Sequence, residues 1–157
     1  MAIMRNVLLF FAMRKRLVLM RLTAVAAIGI GLTWAAASEE RFHTRLAPVA
    51  MDATMRSTVA GLGTATATLS GTKLTVSGTF EGLLSPATTA NLRLSRVTGI
   101  RGSAVFDLTV THSASGSVSG SFDLSSDQVD ALRKGRFYIQ IQSEKAPDGN
   151  LWGWLTR

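Results

Sequence analysis

From Gly63 onward the chain alternates apolar with polar residues at every second position, and Gly, Ser and Pro break the alternation at short intervals. Successive side chains on an extended strand point to opposite faces, so a period of two builds half-buried strands and argues against a helical bundle. In residues 64–69 threonines alternate with Ala65, Ala67 and Leu69; residues 73–80 place Leu74, Val76, Gly78 and Phe80 on one face. Between these runs Ser70-Gly71-Thr72 has the composition of a hairpin turn. The pattern returns in Ala90, Leu92 and Leu94, then in Ala104, Phe106, Leu108 and Val110. It continues through Val118, Gly120 and Phe122, and through Phe137, Ile139 and Ile141. A final run, 151–155, is entered through Pro147-Asp148-Gly149-Asn150, and an earlier one, 41–46, sets Phe42, Thr44 and Leu46 on one side. Eight short strands with frequent turn signals predict an antiparallel β-sandwich or barrel.

One segment departs from this period. Ser125-Ser-Asp-Gln128 has the spacing of a capping box, Val129 and Leu132 recur at helical spacing, and Gly135 supplies a stop. A single short helix is expected there, bridging two strands. The strands also contain an echo, Thr75-Val-Ser-Gly-Thr-Phe80 against Ser117-Val-Ser-Gly-Ser-Phe122. Its flanks do not match, so it reads as two strands of one type, each with a Gly where a neighbour packs close.

There is no cysteine, which excludes disulfides, thiolate metal sites and a cysteine nucleophile, and leaves stability to the apolar core. The net charge of +7 is unevenly spread. Residues 1–37 hold Arg5, Arg14, Lys15, Arg16 and Arg21 and no acid, whereas the rest carries 12 Lys and Arg against 10 Asp and Glu. The domain therefore lacks the phosphate-neutralising excess of a nucleic-acid-binding protein, and no nucleic-acid partner is expected.

The basic cluster precedes an apolar run, 22–32, and then Ala35-Ala36-Ala37, the small-residue pattern of a cleavage site. This is the organisation of a signal peptide, with the positive flank predicting a cytoplasmic N-terminus and export of the domain behind it. Met13, followed by Arg-Lys-Arg, makes the more ordinary start. Residues 17–37 hold Arg21 as their only charge and are about long enough to span a bilayer. The short Ala- and Gly-rich apolar stretch favours a cleavable signal, with a retained anchor helix as the alternative. The expected division is a leader, 1–37, and a β-domain, 38–157, in the periplasm or outside the cell.

Several motifs then occur in order: Leu46-Ala-Pro-Val49, Gly63-Thr-Ala-Thr-Ala-Thr-Leu69, Leu74-Thr-Val-Ser-Gly-Thr-Phe80, Ser85-Pro-Ala-Thr-Thr-Ala90, Leu124-Ser-Ser-Asp-Gln-Val129, Phe137-Tyr-Ile139 and Pro147-Asp-Gly149. Together, over roughly residues 40–157, they resemble the CHRD domain, a module first named from chordin and widespread in exported bacterial proteins. The resemblance implies an immunoglobulin-like β-barrel or sandwich, an extracytoplasmic location and no defined activity. Members often carry His-Ile-His where this chain has Asn91, Leu92 and Arg93, and a His where it has Gln142. The family's closing Gly-Glu-Ile-Arg-Gly-Gln-Leu is here Gly149-Asn-Leu-Trp-Gly-Trp-Leu155. Any polar or metal-binding cluster built on those histidines and that acid is absent.

Strand alternation sends the substituted positions to one face. Asn91 and Arg93 point away from Leu92 and Leu94; Tyr138, Gln140 and Gln142 point away from Phe137, Ile139 and Ile141; Trp152 and Trp154 share a face opposite Leu151 and Leu155. The candidate partner-binding patch is Asn91, Arg93, Tyr138, Gln142, Trp152 and Trp154, with Arg93 placed to stack on an indole. The competing expectation puts the tryptophans in a core.

No catalytic residue, metal ligand or cofactor is expected. His43 and His112 are the only histidines, far apart and each in a strand-like segment. The acids are scattered, those at 123, 127 and 130 flanking the predicted helix, and neither a nucleophile elbow nor a phosphate-cradling loop is present. The expected function is a non-catalytic exported module presenting a sheet face to a protein partner. The alternative, of another class, is a membrane-tethered structural subunit of a larger envelope complex.

Overall fold

The threonine-rich alternation becomes hydrogen-bonded pairing across a two-residue turn: Ser70 lies opposite Lys73, and Gly71 between them takes a φ of 62°. A computed structural model describes residues 38–49 and 52–157; the expected leader, 1–37, lies outside the described residues. Among the described residues eight strands and one α-helix occur in order. They are β1 (Glu39–Pro48), β2 (Leu62–Ser70), β3 (Lys73–Glu81), β4 (Ala87–Leu94), β5 (Ser103–Val110), β6 (Gly116–Asp123), α1 (Ser126–Arg133), β7 (Phe137–Ser143) and β8 (Ala146–Trp154). A 3-10 turn, Met55–Ser57, which no pattern in the sequence announced, sits between β1 and β2.

All pairings are antiparallel, and the order β1-β2-β3-β6-β5-β4-β7-β8 closes into a barrel. Two strands serve as corners. β1 pairs with β2 from Glu39 to Leu46 and then passes to β8 at Ala47 and Pro48. β5 pairs with β4 from Ser103 to Leu108 and reaches β6 only at Thr109 and Val110. The start of β1, the β2–β3 hairpin, the β4–β5 loop, α1 and the end of β8 therefore share one end of the barrel.

The barrel interior takes one residue in two from every strand, and Phe42, Leu74, Leu92, Ile139, Ile141 and Leu151 each expose 1 % or less. Each such side chain contributes about 1.5–3 kcal/mol by leaving water. Helix α1 has the expected capping box: Ser125 Oγ accepts from Gln128 N and Gln128 Oε1 accepts from Ser125 N. Its Val129, Ala131 and Leu132 join the same core.

The two echoed segments turn out to be partners. β3 and β6 pair so that Val76 faces Gly120 and Gly78 faces Val118. A Cβ on Gly78 would lie 2.7 Å from the Ala65 Cβ, and one on Gly120 would lie 2.5 Å from the Phe122 ring. Close backbone packing thus requires the glycine at 78, where the Thr64 carbonyl is also in the way, whereas at 120 only the ends of the Phe122 and Leu108 side chains lie in reach.

Two expectations are corrected. Pro147-Asp148-Gly149-Asn150 is not a turn before the last strand but lies within β8, whose hairpin with β7 is made at Glu144 and Lys145. Ile141 pairs with Leu151 and Ser143 with Ala146, so these four residues bulge opposite Gln142 alone. His112 is in the β5–β6 loop rather than in a strand, its Nδ1 3.2 Å from the Ala87 carbonyl.

Candidate functional site

The substituted positions meet on the outer face of β4, β7 and β8. Arg93, Tyr138 and Trp154 form one cross-strand row, and Asn91, Gln140 and Trp152 the next. The sequence placed these side chains away from the barrel interior, and Tyr138 and Trp152 are indeed outside its apolar core. Exposure does not follow from that. Tyr138 is fully buried, Gln140 exposes 1 % and Trp152 8 %, whereas Asn91, Arg93, Gln142 and Trp154 are half-buried.

The covering element is the β4–β5 loop, residues 95–102. Its last residue approaches the end of β4 so closely that a Cβ on Gly102 would fall 1.9 Å from the Leu94 carbonyl oxygen. Tyr138 closes the loop through its hydroxyl, which accepts from Gly102 N at 3.0 Å and from Arg93 Nε at 3.1 Å and donates to Gly102 O at 3.3 Å. Arg93 also donates to Gly102 O from Nε at 3.1 Å and Nη2 at 2.9 Å. The expectation that Arg93 stacks on an indole is therefore corrected, because its guanidinium is engaged by the loop. Arg101 takes that place, 5.2 Å above the Trp152 ring, with Nη2 donating to Asp148 O at 2.9 Å.

Tyr138 is packed between the two tryptophans, 5.5 Å from Trp152 and 4.5 Å from Trp154. Such offset aromatic pairs add about 0.5–1.5 kcal/mol beyond their burial and hold the rings in one orientation. Beside the stack an amide chain crosses three strands. Asp107 can only accept, so Asn91 Nδ2 faces it at 2.6 Å; Asn91 Oδ1 must then accept from Gln142 Nε2, at 3.0 Å. Gln142 Oε1 is left buried without a partner, as are Gln140 Oε1 and Trp152 Nε1, although Gln140 Nε2 donates to Asp148 O at 2.8 Å. Gly149 (φ 130°) packs on these groups, and a Cβ there would lie 2.4 Å from Trp152 Nε1. Next to it, buried Asn150 donates to Ser143 Oγ at 3.0 Å and accepts from Ala60 N at 3.0 Å, pinning the bulge.

Two amide oxygens and an indole N–H suit hydrogen bonding to hydroxyl or water, and they include none of the imidazole, thiolate or carboxylate donors of a zinc site. Among the described residues no three His, Asp or Glu side chains cluster as metal ligands.

A family model for the CHRD domain matches residues 42–155. The chain belongs to the CHRD domain family. No curated protein and no solved structure matches it. In this CHRD domain the matched region begins within β1 and runs through the other seven strands described, and the aromatic-amide face lies within it. Arg101, Gly102 and Asp107 complete the face and were not singled out in the sequence, since each belongs to another strand or loop with no local spacing to tie it there; Asp148, on β8 itself, was read only as part of a turn. One signal was available: the unbroken Phe137-Tyr-Ile139 and Leu151-Trp-Gly-Trp-Leu155 runs are those of strands buried on both faces.

Proposed function

We propose that this CHRD domain is an exported, non-catalytic binding module that offers the β4–β7–β8 face to a protein partner in the periplasm. The observation that carries this is the Trp152–Tyr138–Trp154 stack, built outside the barrel core with Trp154 still half-exposed at its rim. Trp and Tyr side chains on a rigid base are strong interface anchors because they lose little entropy when covered. Half-buried Asn91, Arg93 and Gln142 surround it, and Tyr138 and Trp152 act as support rather than as contact surface. Membership of the family supports a binding or accessory role, and the all-antiparallel barrel, in which β3 crosses over to pair with β6, supports an immunoglobulin-like scaffold. The leader supports export.

The alternative is a membrane-tethered structural subunit, favoured by one feature, the 21 residues of 17–37 with a single charge. Intact mass and fractionation in a bacterial host separate the two. A periplasmic species starting near Ser38 fits a released module, and a membrane-bound one keeping residues 17–37 fits the subunit. The face itself is tested by a photo-crosslinking residue at Trp154, compared with one at exposed Lys73 on β3. A defined adduct at 154 alone, lost on competition with unlabelled protein but retained against its Trp154→Ala variant, is expected. Equal or no crosslinking at the two positions refutes the docking face.

A further inference from the structure

We propose that the β4–β5 loop docks on a bilayer surface bearing anionic headgroups. Residues 95–102 border an open groove of about 870 Å³ at the barrel end where the chain enters β1. Arg96, Arg101 and Arg136 line it, with Val97 and Ile100. Among the described residues none of these three arginines has a carboxylate within 4 Å, whereas Arg41, Arg133 and Arg157 at the same end are each paired with Glu39 or Glu40. Arg136 Nε is buried with no partner, and its Nη1 reaches only the Arg96 carbonyl, at 3.4 Å. No acid among the described residues lines the groove.

Charge alone would suit any anion. The two aliphatic side chains narrow the choice: Val97 and Ile100 are 57 % and 60 % exposed, the highest values among the large apolar residues described. An acidic peptide or free phosphate would neutralise the arginines and leave both in water. A lipid surface takes up both features at once, the arginines at the headgroups and the aliphatics just below them.

The loop is braced for this. Ser95 Oγ donates to Val97 O at 2.6 Å, Thr98 Oγ1 to Gly135 O at 3.0 Å, and Ser95 N to Arg136 O at 3.0 Å. Presentation thus costs little ordering on docking. The inference does not rest on the protein-docking face.

The chain has no cysteine, so Val97→Cys and, at the opposite end, exposed Leu84→Cys each give a single labelling site. The full chain is synthesised with vesicles of phosphatidylcholine alone or with phosphatidylglycerol, and dye quenching by nitroxide-labelled lipid is read. Quenching at 97 but not at 84, requiring phosphatidylglycerol and reversed by salt, is the expected result. Arg96→Gln with Arg136→Gln lowers the docking constant about 25-fold, fivefold for each arginine. Circular dichroism confirms that the variant folds. Equal quenching at both positions, or indifference to lipid charge, overturns the proposal. Release of the label from vesicles by poly-glutamate or inorganic phosphate at constant ionic strength assigns the groove to a soluble anion and equally overturns it.

Discussion

Replacing Tyr138 with Phe removes one oxygen and leaves the aromatic stack in place. That oxygen accepts from Gly102 N and Arg93 Nε and donates to Gly102 O. Arg93 and Gly102 O keep their bonds to each other, so the loss concentrates on the Gly102 N–H, half-buried under the loop. An amide stranded in this way costs about 1.5 kcal/mol, within the range for unsatisfied donors. For a domain of this size that lowers the melting temperature by roughly 5–9 °C. Urea unfolding gives the global loss, and native-state hydrogen exchange gives its location, with the Gly102 amide losing protection first. Combining the change with Arg93→Met should give a coupling of at least about 0.5 kcal/mol, because the two residues share one network. A Tyr138→Phe protein that loses less than about 0.5 kcal/mol and keeps Gly102 protected would refute the claim that this hydroxyl closes the loop.

Local geometry and charge give two further outcomes. Gly149→Ala forces a side chain into a φ of 130° and against Trp152 Nε1, so at least about 2 kcal/mol should be lost; a thermal melt matching the parent protein would mean that the bulge is soft. The Glu40 carboxyl is held below its ordinary 4.5, first by its hydrogen bond from Arg133 and also by Arg157. The unfolded chain therefore takes up this proton first, so the contribution is complete above pH 4.5 and is lost as pH falls through the lower folded value. Glu40→Gln should flatten the stability–pH curve in that acid window, as read by urea midpoints, and leave its neutral and alkaline parts parallel to the parent's.

The strands were legible because each needed only its own residues: Leu74, Val76 and Phe80 disclose their face by spacing alone, and Ser125 with Gln128 discloses the helix start. The bulge was hidden because Pro147-Asp148-Gly149 has the composition of a tight turn, and only pairing with β7 shows that four residues oppose one. The covered state of the aromatic face was hidden for a related reason. It depends on Gly102 reaching Leu94 and on Arg101 reaching Asp148, contacts between segments whose own sequences look like ordinary loop. Alternation said which way Tyr138 points; it could not say what lies above it.

Closure of the barrel by its last strand imposes a schedule on folding. β1 meets β2 within the first half of the domain, but its other edge receives Leu151 and Trp152, with Thr156 pairing to His43 in both directions. β3 waits for β6 and β4 for β7 in the same way. Such non-local pairing slows the search, since chain entropy is lost before the contacts that offset it form. A chain shortened ahead of β8 keeps unpaired backbone along both β1 and β7, and edges of that kind recruit one another. Truncation in this protein should therefore appear less as a weakened monomer than as aggregation.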